Sequence, residues 1–232
     1  MAKDVIIACD FPSLEDTLHF LDRFGDSRPY LKIGMELFYA EGPAVVRALK
    51  QRGHRVFLDL KLHDIPNTVA GAMRALSGLG ADMVNLHASG TIDMMRAALK
   101  GLTRPDGTRP LVIAVTLLTS ISQQVMQDEL LMDGTPDDVV LHLARNARLA
   151  GLDGVVCSPL EAELVHGQVA SDFLTVTPGI RFSADGAGDQ KRFTTPEQAR
   201  RMGADYIVVG RPITAADNPL DAYRRCTDAF LG

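Results

Sequence analysis

Residues 136–157 have the sequence PDDVVLHLARNARLAGLDGVVC, in which a helix, a glycine and a strand follow one another. The segment 137–150 has apolar residues at helical spacing, and Pro136 stands at its start, where the lack of a backbone N–H is least unfavourable. Gly151 follows at a position typical of a C-cap, and the short apolar run 154–157 comes next. The same helix–glycine–strand unit recurs elsewhere in the chain, with glycine at positions 53, 80 and 203.

Eight apolar runs of this kind are spread along the chain, at 5–8, 30–33, 56–60, 83–86, 111–115, 154–157, 173–176 and 206–209. Nearly continuous apolar runs are typical of parallel strands that are buried on both faces. Segments with helical spacing lie between them, at 14–24, 43–51, 67–79, 91–100, 137–150, 196–202 and 219–230. This alternation predicts an α/β fold, a closed (β/α)8 TIM barrel that occupies residues 1–232 as a single domain. An open doubly wound sheet is the alternative, but residues 9–12 lack the glycine fingerprint of a dinucleotide site.

Composition excludes several classes of protein. The formal net charge of −5 comes with no basic run, so we do not expect nucleic-acid binding. No apolar stretch approaches the roughly 20 residues that a membrane-spanning helix needs, and we expect a cytoplasmic protein. The cysteines at positions 9, 157 and 226 form neither a disulfide framework nor a CxxC metal pair, so we expect them to be buried.

Charged side chains stand where the first three strands end. Asp10 closes the first strand, Lys32 lies near the end of the second, and Asp59 and Lys61 close the third. Catalytic groups of such barrels lie at the C-terminal ends of the strands. Positions 59 and 61 are two apart, so in an extended strand their side chains point to the same face. The sequence therefore predicts alternating ammonium and carboxylate groups at one rim of the barrel, with Asp64 in the loop that follows.

A purely structural interpretation of these charges stays open at this point. Lys32 and Asp59 alone would form an ordinary ion pair, and Asp64 or Asn67 would cap the helix that follows.

A second group of residues follows the seventh and eighth strands. Gly179 and Arg181 come after one strand, and Gly210 and Arg211 come after the other. Loops at these two places are the recurring phosphate site of this fold, since glycine lets backbone N–H groups approach and arginine pairs with the oxyanion. The polar segment 181–192 is long for a connection, and we interpret it as a lid over the phosphate. The alternative is that these glycines are plain turn residues and the arginines are solvated.

The segment 57–68, FLDLKLHDIPNT, resembles the Asp-x-Lys-x-x-Asp signature of the orotidine 5'-phosphate decarboxylase family in its bacterial form. The likeness covers almost the whole chain. It includes the segments 8–10, 31–34, 118–120, 177–181, 188–192 and 208–212.

This resemblance implies an enzyme that decarboxylates orotidine 5'-monophosphate to uridine 5'-monophosphate and CO2 in pyrimidine biosynthesis, with no cofactor and no metal. The implied catalytic residues are Lys32, Asp59, Lys61 and Asp64, with Lys61 as the proton donor. The implied substrate-binding residues are Asp10, Lys32, Asp59, Thr68, Thr119, Ser120, Pro178, Arg181, Gln190, Gly210 and Arg211. A homodimer is also implied, in which Asp64 and Thr68 reach the neighbouring subunit's active site.

Two other functions stay open. One is a metal-dependent aldolase similar to hexulose-phosphate synthase, in which a related Asp-x-Lys-x-x-Asp segment binds magnesium. The other is a non-catalytic barrel that senses phosphorylated ligands, but it leaves the paired lysines and aspartates without a purpose. The segment 118–120 and the segment 188–190 favour the decarboxylase.

Overall fold

The computed structural model describes residues 3–182 and 194–232. Eight parallel strands pair in chain order, and the last pairs with the first to close a barrel. The predicted (β/α)8 barrel is therefore confirmed. The strands are β1 (Asp4–Cys9), β2 (Tyr30–Gly34), β3 (Val56–Leu62), β4 (Met83–His87), β5 (Leu111–Val115), β6 (Gly154–Val156), β7 (Leu174–Thr177) and β8 (Tyr206–Val209).

Helices cover the outside of the barrel. Within the described residues they are α1 (Leu14–Asp22), α2 (Met35–Glu41), α3 (Pro43–Gln51), α4 (Pro66–Ser77), α5 (Thr91–Leu102), α6 (Gln123–Asp128), α7 (Pro136–Ala150), α8 (Pro159–Gln168), α9 (Pro196–Arg201), α10 (Arg211–Thr214) and α11 (Pro219–Leu231). Seven of them match the predicted segments to within a few residues, whereas the pattern does not predict α2, α6, α8 or α10. None of the helices in these ranges is long and apolar enough to cross a bilayer.

Helix α7 illustrates how the sequence sets these boundaries. The Thr135 hydroxyl accepts a hydrogen bond from the Asp138 N–H, and the Asp138 carboxylate accepts one from the Thr135 N–H, so a capping box starts the helix. Gly151 ends it with φ of 94°, a left-handed conformation that suits glycine.

The apolar core has two layers. Inside the barrel, a cluster that includes Ile6, Tyr30, Phe57 and Tyr206 fills the lumen, so the barrel is not a pore. A larger cluster fills the space between the strands and the helices and contains all three cysteines, which are free and buried as predicted. The lumen is thus filled from below, which leaves the C-terminal mouth as the place for a site.

The N-terminal ends of three strands, β4, β6 and β8, share a Gly-x-Asp sequence. Each aspartate accepts a hydrogen bond from a backbone N–H of the preceding strand: Asp82 from Val56, Asp153 from Val112 and Asp205 from Thr175. Each also contacts a basic side chain: Lys50, Arg109 and His166, respectively. These carboxylates therefore tie neighbouring strands together at the end of the barrel that carries no predicted catalytic group.

Helices α4 and α5 approach closely at Gly101, where a Cβ atom would overlap the carbonyl group of Ala70. We expect Gly101→Ala to lower the free energy of unfolding by about 1–3 kcal/mol, because the helices must separate to admit the methyl group. Gly167→Ala on α8 is the control, since its Cβ meets nothing within 4 Å, and a helical Gly→Ala change without a clash is neutral or stabilising. Urea unfolding followed by circular dichroism measures both. Equal unfolding midpoints for the two variants would contradict the close contact.

Candidate active site

Three charged side chains from β2 and β3 meet inside the C-terminal mouth of the barrel. The Lys61 ammonium lies 2.6 Å from Oδ1 of Asp59, and the Lys32 ammonium lies 3.4 Å from Oδ2 of the same carboxylate. Asp59 is therefore held between two cations. The Lys32 ammonium also lies 2.9 Å from Oδ1 of Asp10, which follows β1. The sequence analysis grouped these four residues, and the structure brings them together.

The buried members of this cluster are held in their charged forms. Burial raises the pKa of Asp59. The charges of Lys32 and Lys61, together with hydrogen bonds from Lys61 and Asn85, lower it by a larger amount, so the net pKa lies below its usual value. Burial lowers the pKa of Lys32, but Asp59 and Asp10 outweigh this effect and leave that pKa above its usual value. At neutral pH the mouth of the barrel therefore contains a fixed ammonium and a fixed carboxylate in direct contact.

The way in which β3 presents Asp59 and Lys61 differs from the expectation. The prediction assumed a regular strand, in which side chains two apart share a face. Instead the β3–β4 register shifts between Leu58 and Leu62, and Lys61 has φ of 50°. The side chains of Asp59 and Lys61 still meet, but across an irregular stretch of the strand rather than along a regular pleat.

Asn85 on β4 is a site residue that the sequence analysis missed. It is 1% exposed, its Oδ1 accepts a hydrogen bond from the Lys61 backbone N–H at 2.8 Å, and its Nδ2 donates one to Oδ1 of Asp59 at 2.6 Å. The signal in the sequence is one polar residue inside the apolar run Met83-Val84-Asn85-Leu86. Burying a carboxamide is unfavourable unless it is hydrogen-bonded, so a lone polar residue in such a run indicates a buried hydrogen-bond partner.

A cavity of about 130 Å³ lies beside the charged cluster. Lys32, Asp59 and Lys61 form its polar wall together with Asn85. The remaining lining residues are mostly apolar and come from β3 and from the ends of β5 to β8: Phe57, Val115, Leu117, Leu118, Thr119, Val156, Cys157, Val176, Pro178 and Val208. The site thus combines fixed charges with an apolar wall of low polarizability, which strengthens their electrostatic interactions. Thr119 and Pro178 were predicted substrate contacts, and both line the cavity.

The predicted phosphate residues follow β7 and β8. Gly179 has φ of 86°, and the backbone of Arg181 pairs with Thr194 through a hydrogen bond of 3.0 Å from the Arg181 N–H. Gly210 directly precedes α10, and Arg211 is its first residue. Since β7 and β8 are neighbours, both segments lie on the same side of the mouth. Gln190 and most of the predicted lid, residues 183–192, lie outside the described residues.

Three predicted residues are not drawn into this cluster. Asp64 and Thr68 are exposed, and the Asp64 carboxylate accepts a hydrogen bond from the N–H of Ile65 at 2.6 Å. Within residues 3–182 and 194–232, no ion pair joins Asp64 to either lysine of the cluster. Ser120 is also exposed, in the loop after β5.

A wider open groove of about 780 Å³ lies elsewhere, between the start of α5 and α7. Its lining includes Asp93, Asp138 and His142 but none of the Lys–Asp cluster. Because the fixed charges line the smaller cavity and not this groove, the smaller cavity is the candidate active site.

Comparison with known proteins gives a consistent result. A protein of Bacillus cereus strain AH820, named orotidine 5'-phosphate decarboxylase, is 51% identical over 235 residues, which covers 100% of this chain and 99% of that protein. A Bacillus anthracis protein of the same name has the same identity and coverage. Among solved structures, orotidine 5'-phosphate decarboxylase from Lactobacillus acidophilus matches with a TM-score of 0.88 and 41% identity, covering 99% of this chain and 100% of that one.

A second solved structure, described as an uncharacterized conserved protein from Geobacillus kaustophilus, matches with a TM-score of 0.87 and 44% identity, covering 97% of this chain and 99% of that one. The family model for the orotidine 5'-phosphate decarboxylase / HUMPS family matches residues 3–226. With a family match over nearly its whole length and relatives at about half identity, this chain belongs to the orotidine 5'-phosphate decarboxylase / HUMPS family.

Proposed function

We propose that this protein removes CO2 from orotidine 5'-monophosphate to give uridine 5'-monophosphate, as a cytoplasmic enzyme of pyrimidine biosynthesis. The observation that carries the proposal is the Lys61 ammonium, held 2.6 Å from the buried Asp59 carboxylate beside an apolar cavity. Relatives that cover the whole chain carry the name of this activity. Two other observations support it: the neighbouring Lys32 and the glycine–arginine segments after β7 and β8.

The chemistry explains why a fixed ammonium suits this reaction. Breaking the bond between C6 of the pyrimidine and the carboxylate leaves an electron pair in an sp2 orbital that is orthogonal to the ring π system. Delocalisation cannot absorb this charge, so stabilisation has to be electrostatic. The Lys61 ammonium lies next to the developing carbanion and then donates its proton to C6, while CO2 leaves.

The other residues divide the remaining work. Asp10 and Lys32 contact the ribose, and Thr119 and Ser120 contact the pyrimidine. Arg181, Gln190, Gly210 and Arg211 bind the phosphate, with Pro178 beside them. Because the phosphate is remote from the reacting carbon, its binding energy positions the substrate against the charged cluster. Asp59 lies near the departing carboxylate and holds Lys61 in place, a role that its 2.6 Å contact with the Lys61 ammonium supports.

A metal-dependent aldolase is disfavoured by the surroundings of Asp59. In the described structure its Oδ1 contacts the Lys61 ammonium and the Asn85 amide, and its Oδ2 faces Lys32. A carboxylate surrounded by cationic and donor groups is a poor ligand for a divalent cation, which these ammonium groups would repel. Activity that persists after treatment with a strong chelator supports the decarboxylase.

Lys61→Ala removes the proposed stabilising charge and the proton donor. We expect kcat to fall by roughly 10⁴-fold or more, because the two effects multiply, while binding of uridine 5'-monophosphate changes much less. Lys100→Ala, at an exposed position on α5, is the control and should behave like the wild type. CO2 release measures turnover and calorimetry measures binding. Turnover near the wild-type level in purified, folded Lys61→Ala protein would refute the assigned role.

Arg211→Ala tests the phosphate site. Loss of a charge-assisted hydrogen bond, worth about 1.5–3 kcal/mol, should raise KM by about ten- to a hundredfold with a smaller effect on kcat. The change should be absent for a substrate that lacks the phosphate, since no oxyanion then faces Arg211. Arg201→Ala on α9 provides an exposed arginine as the control. Equal losses with both substrates would contradict a phosphate contact.

We further propose a homodimer in which Asp64 and Thr68 complete the neighbouring subunit's site. Asp64 lies in the loop that follows β3, next to the catalytic cluster, and Thr68 lies in the first turn of α4. Both side chains are exposed in a single chain. Ile65, next to Asp64, is 67% exposed, and Tyr39 on α2 is 71% exposed. Exposed apolar residues beside an incomplete site support burial by a second copy.

Subunit mixing tests this arrangement. When Lys61→Ala and Asp64→Ala chains are co-expressed, a heterodimer contains one site with both defects and one site with neither. If dimers form at random, half are heterodimers with one working site in two, so we expect about a quarter of the wild-type activity. Each variant expressed alone should be nearly inactive. A mixture no more active than the separate variants would show that Asp64 does not act on a partner's site.

A further inference from the structure

The β3–β4 ladder is interrupted where the catalytic residues lie. Leu58 pairs with Val84 and Leu62 pairs with Leu86, so three residues of β3 stand opposite Asn85 alone. The last of the three, Lys61, has φ of 50°, a left-handed conformation that a long side chain seldom adopts. Neighbouring groups have to hold such a residue in place, because its own backbone preference opposes the conformation.

The Asn85 carboxamide provides that restraint. Its oxygen accepts the Lys61 backbone N–H at 2.8 Å, which would otherwise lie unpaired at the bulge. Its nitrogen donates to Oδ1 of Asp59 at 2.6 Å. The two contacts also fix the orientation of the amide, since a backbone N–H only donates and an ionised carboxylate only accepts.

The same carboxylate oxygen accepts the Lys61 ammonium at 2.6 Å. A closed loop of hydrogen bonds therefore runs from the Lys61 backbone through Asn85 and Asp59 to the end of the Lys61 side chain. We propose that Asn85 is a positioning residue that fixes both ends of Lys61, so that its ammonium stays aimed at the reacting carbon. This inference rests on the proposed decarboxylase function.

An alternative is that Asn85 only satisfies buried polar groups and so contributes to stability alone. The two roles predict different kinetics. A positioning residue acts on the step that uses the Lys61 ammonium, so its loss lowers kcat and leaves KM nearly unchanged, whereas a structural residue affects the amount of folded protein and not kcat per folded site.

Asn85→Leu keeps the approximate volume and removes both hydrogen bonds. We expect kcat to fall by about 10²-fold, with KM within about threefold of the wild type. Asn146→Leu on α7 is the matched control; its side chain contacts His142, away from the cluster, and kcat should not change. A kcat for folded Asn85→Leu within about threefold of the wild type would overturn the proposal.

Asn85→Asp gives a second test that does not depend on the folding of the leucine variant. An ionised carboxylate there would repel Asp59 and could not donate to it. A protonated carboxyl group accepts from the Lys61 N–H and donates to Asp59, as the amide does. Beside Asp59 and out of water its pKa is raised, so kcat relative to the wild type should be higher at about pH 5 than at about pH 8. A ratio that does not rise as the pH falls would contradict the proposal.

A readout without turnover separates this inference from the proposed function. The ¹⁵N–¹H resonance of the Lys61 amide should shift and lose protection from hydrogen exchange in Asn85→Leu but not in Asn146→Leu. If wild-type protein released no CO2, the decarboxylase proposal would fail even where the amide signal responded. If the wild type were active and the Lys61 amide did not respond, the positioning role alone would be overturned.

Discussion

The contact between the buried Asp59 carboxylate and two ammonium groups is the constraint around which the site is arranged. Removing an ion from water costs several kcal/mol, and the cost is offset only where partners and hydrogen bonds are well placed. Asp59 is 7% exposed and has Lys32, Lys61 and Asn85 as partners. Oδ1 accepts hydrogen bonds from Lys61 and Asn85, and Oδ2 faces the Lys32 ammonium, so both oxygens have donor groups beside them. The position of each donor is therefore fixed by the need to satisfy this one group.

The formal charges of the cluster cancel. Lys32 and Lys61 contribute two positive charges, and Asp10 and Asp59 contribute two negative ones. Such a cluster exerts little net attraction on an anionic substrate. On the proposed function, affinity therefore has to come from the phosphate side of the mouth, while the cluster supplies local fields. This division fits the barrel, in which the ends of different strands supply the charged cluster and the phosphate-binding residues. The three Gly-x-Asp turns tie neighbouring strands together at the opposite end of the barrel.

The sequence predicts the barrel because each strand is an apolar run and most helices have clear apolar spacing with proline or glycine at their ends. It does not predict α10, which has four residues, or α2, which follows β2 directly and has no side-chain cap. Helix α8 buries Glu161 on its inner face, so its apolar pattern is weak. The contact between Asp59 and Lys61 was predicted from a regular pleat, but β3 is irregular at these residues. Asn85 was missed because its partners lie on another strand.

The bulge at Lys61 gives a physical reason for that failure. A regular pleat would keep the Lys61 N–H in the ladder and leave its side chain free to choose among many rotamers. The irregular backbone releases the N–H to Asn85, and the ammonium is caught by the oxygen that Asn85 also binds. A lysine in water reorganises with its solvent as charge develops nearby, and that reorganisation adds to the barrier. A lysine fixed at both ends has already met this cost during folding, so local backbone strain and preorganised electrostatics are two aspects of the same arrangement.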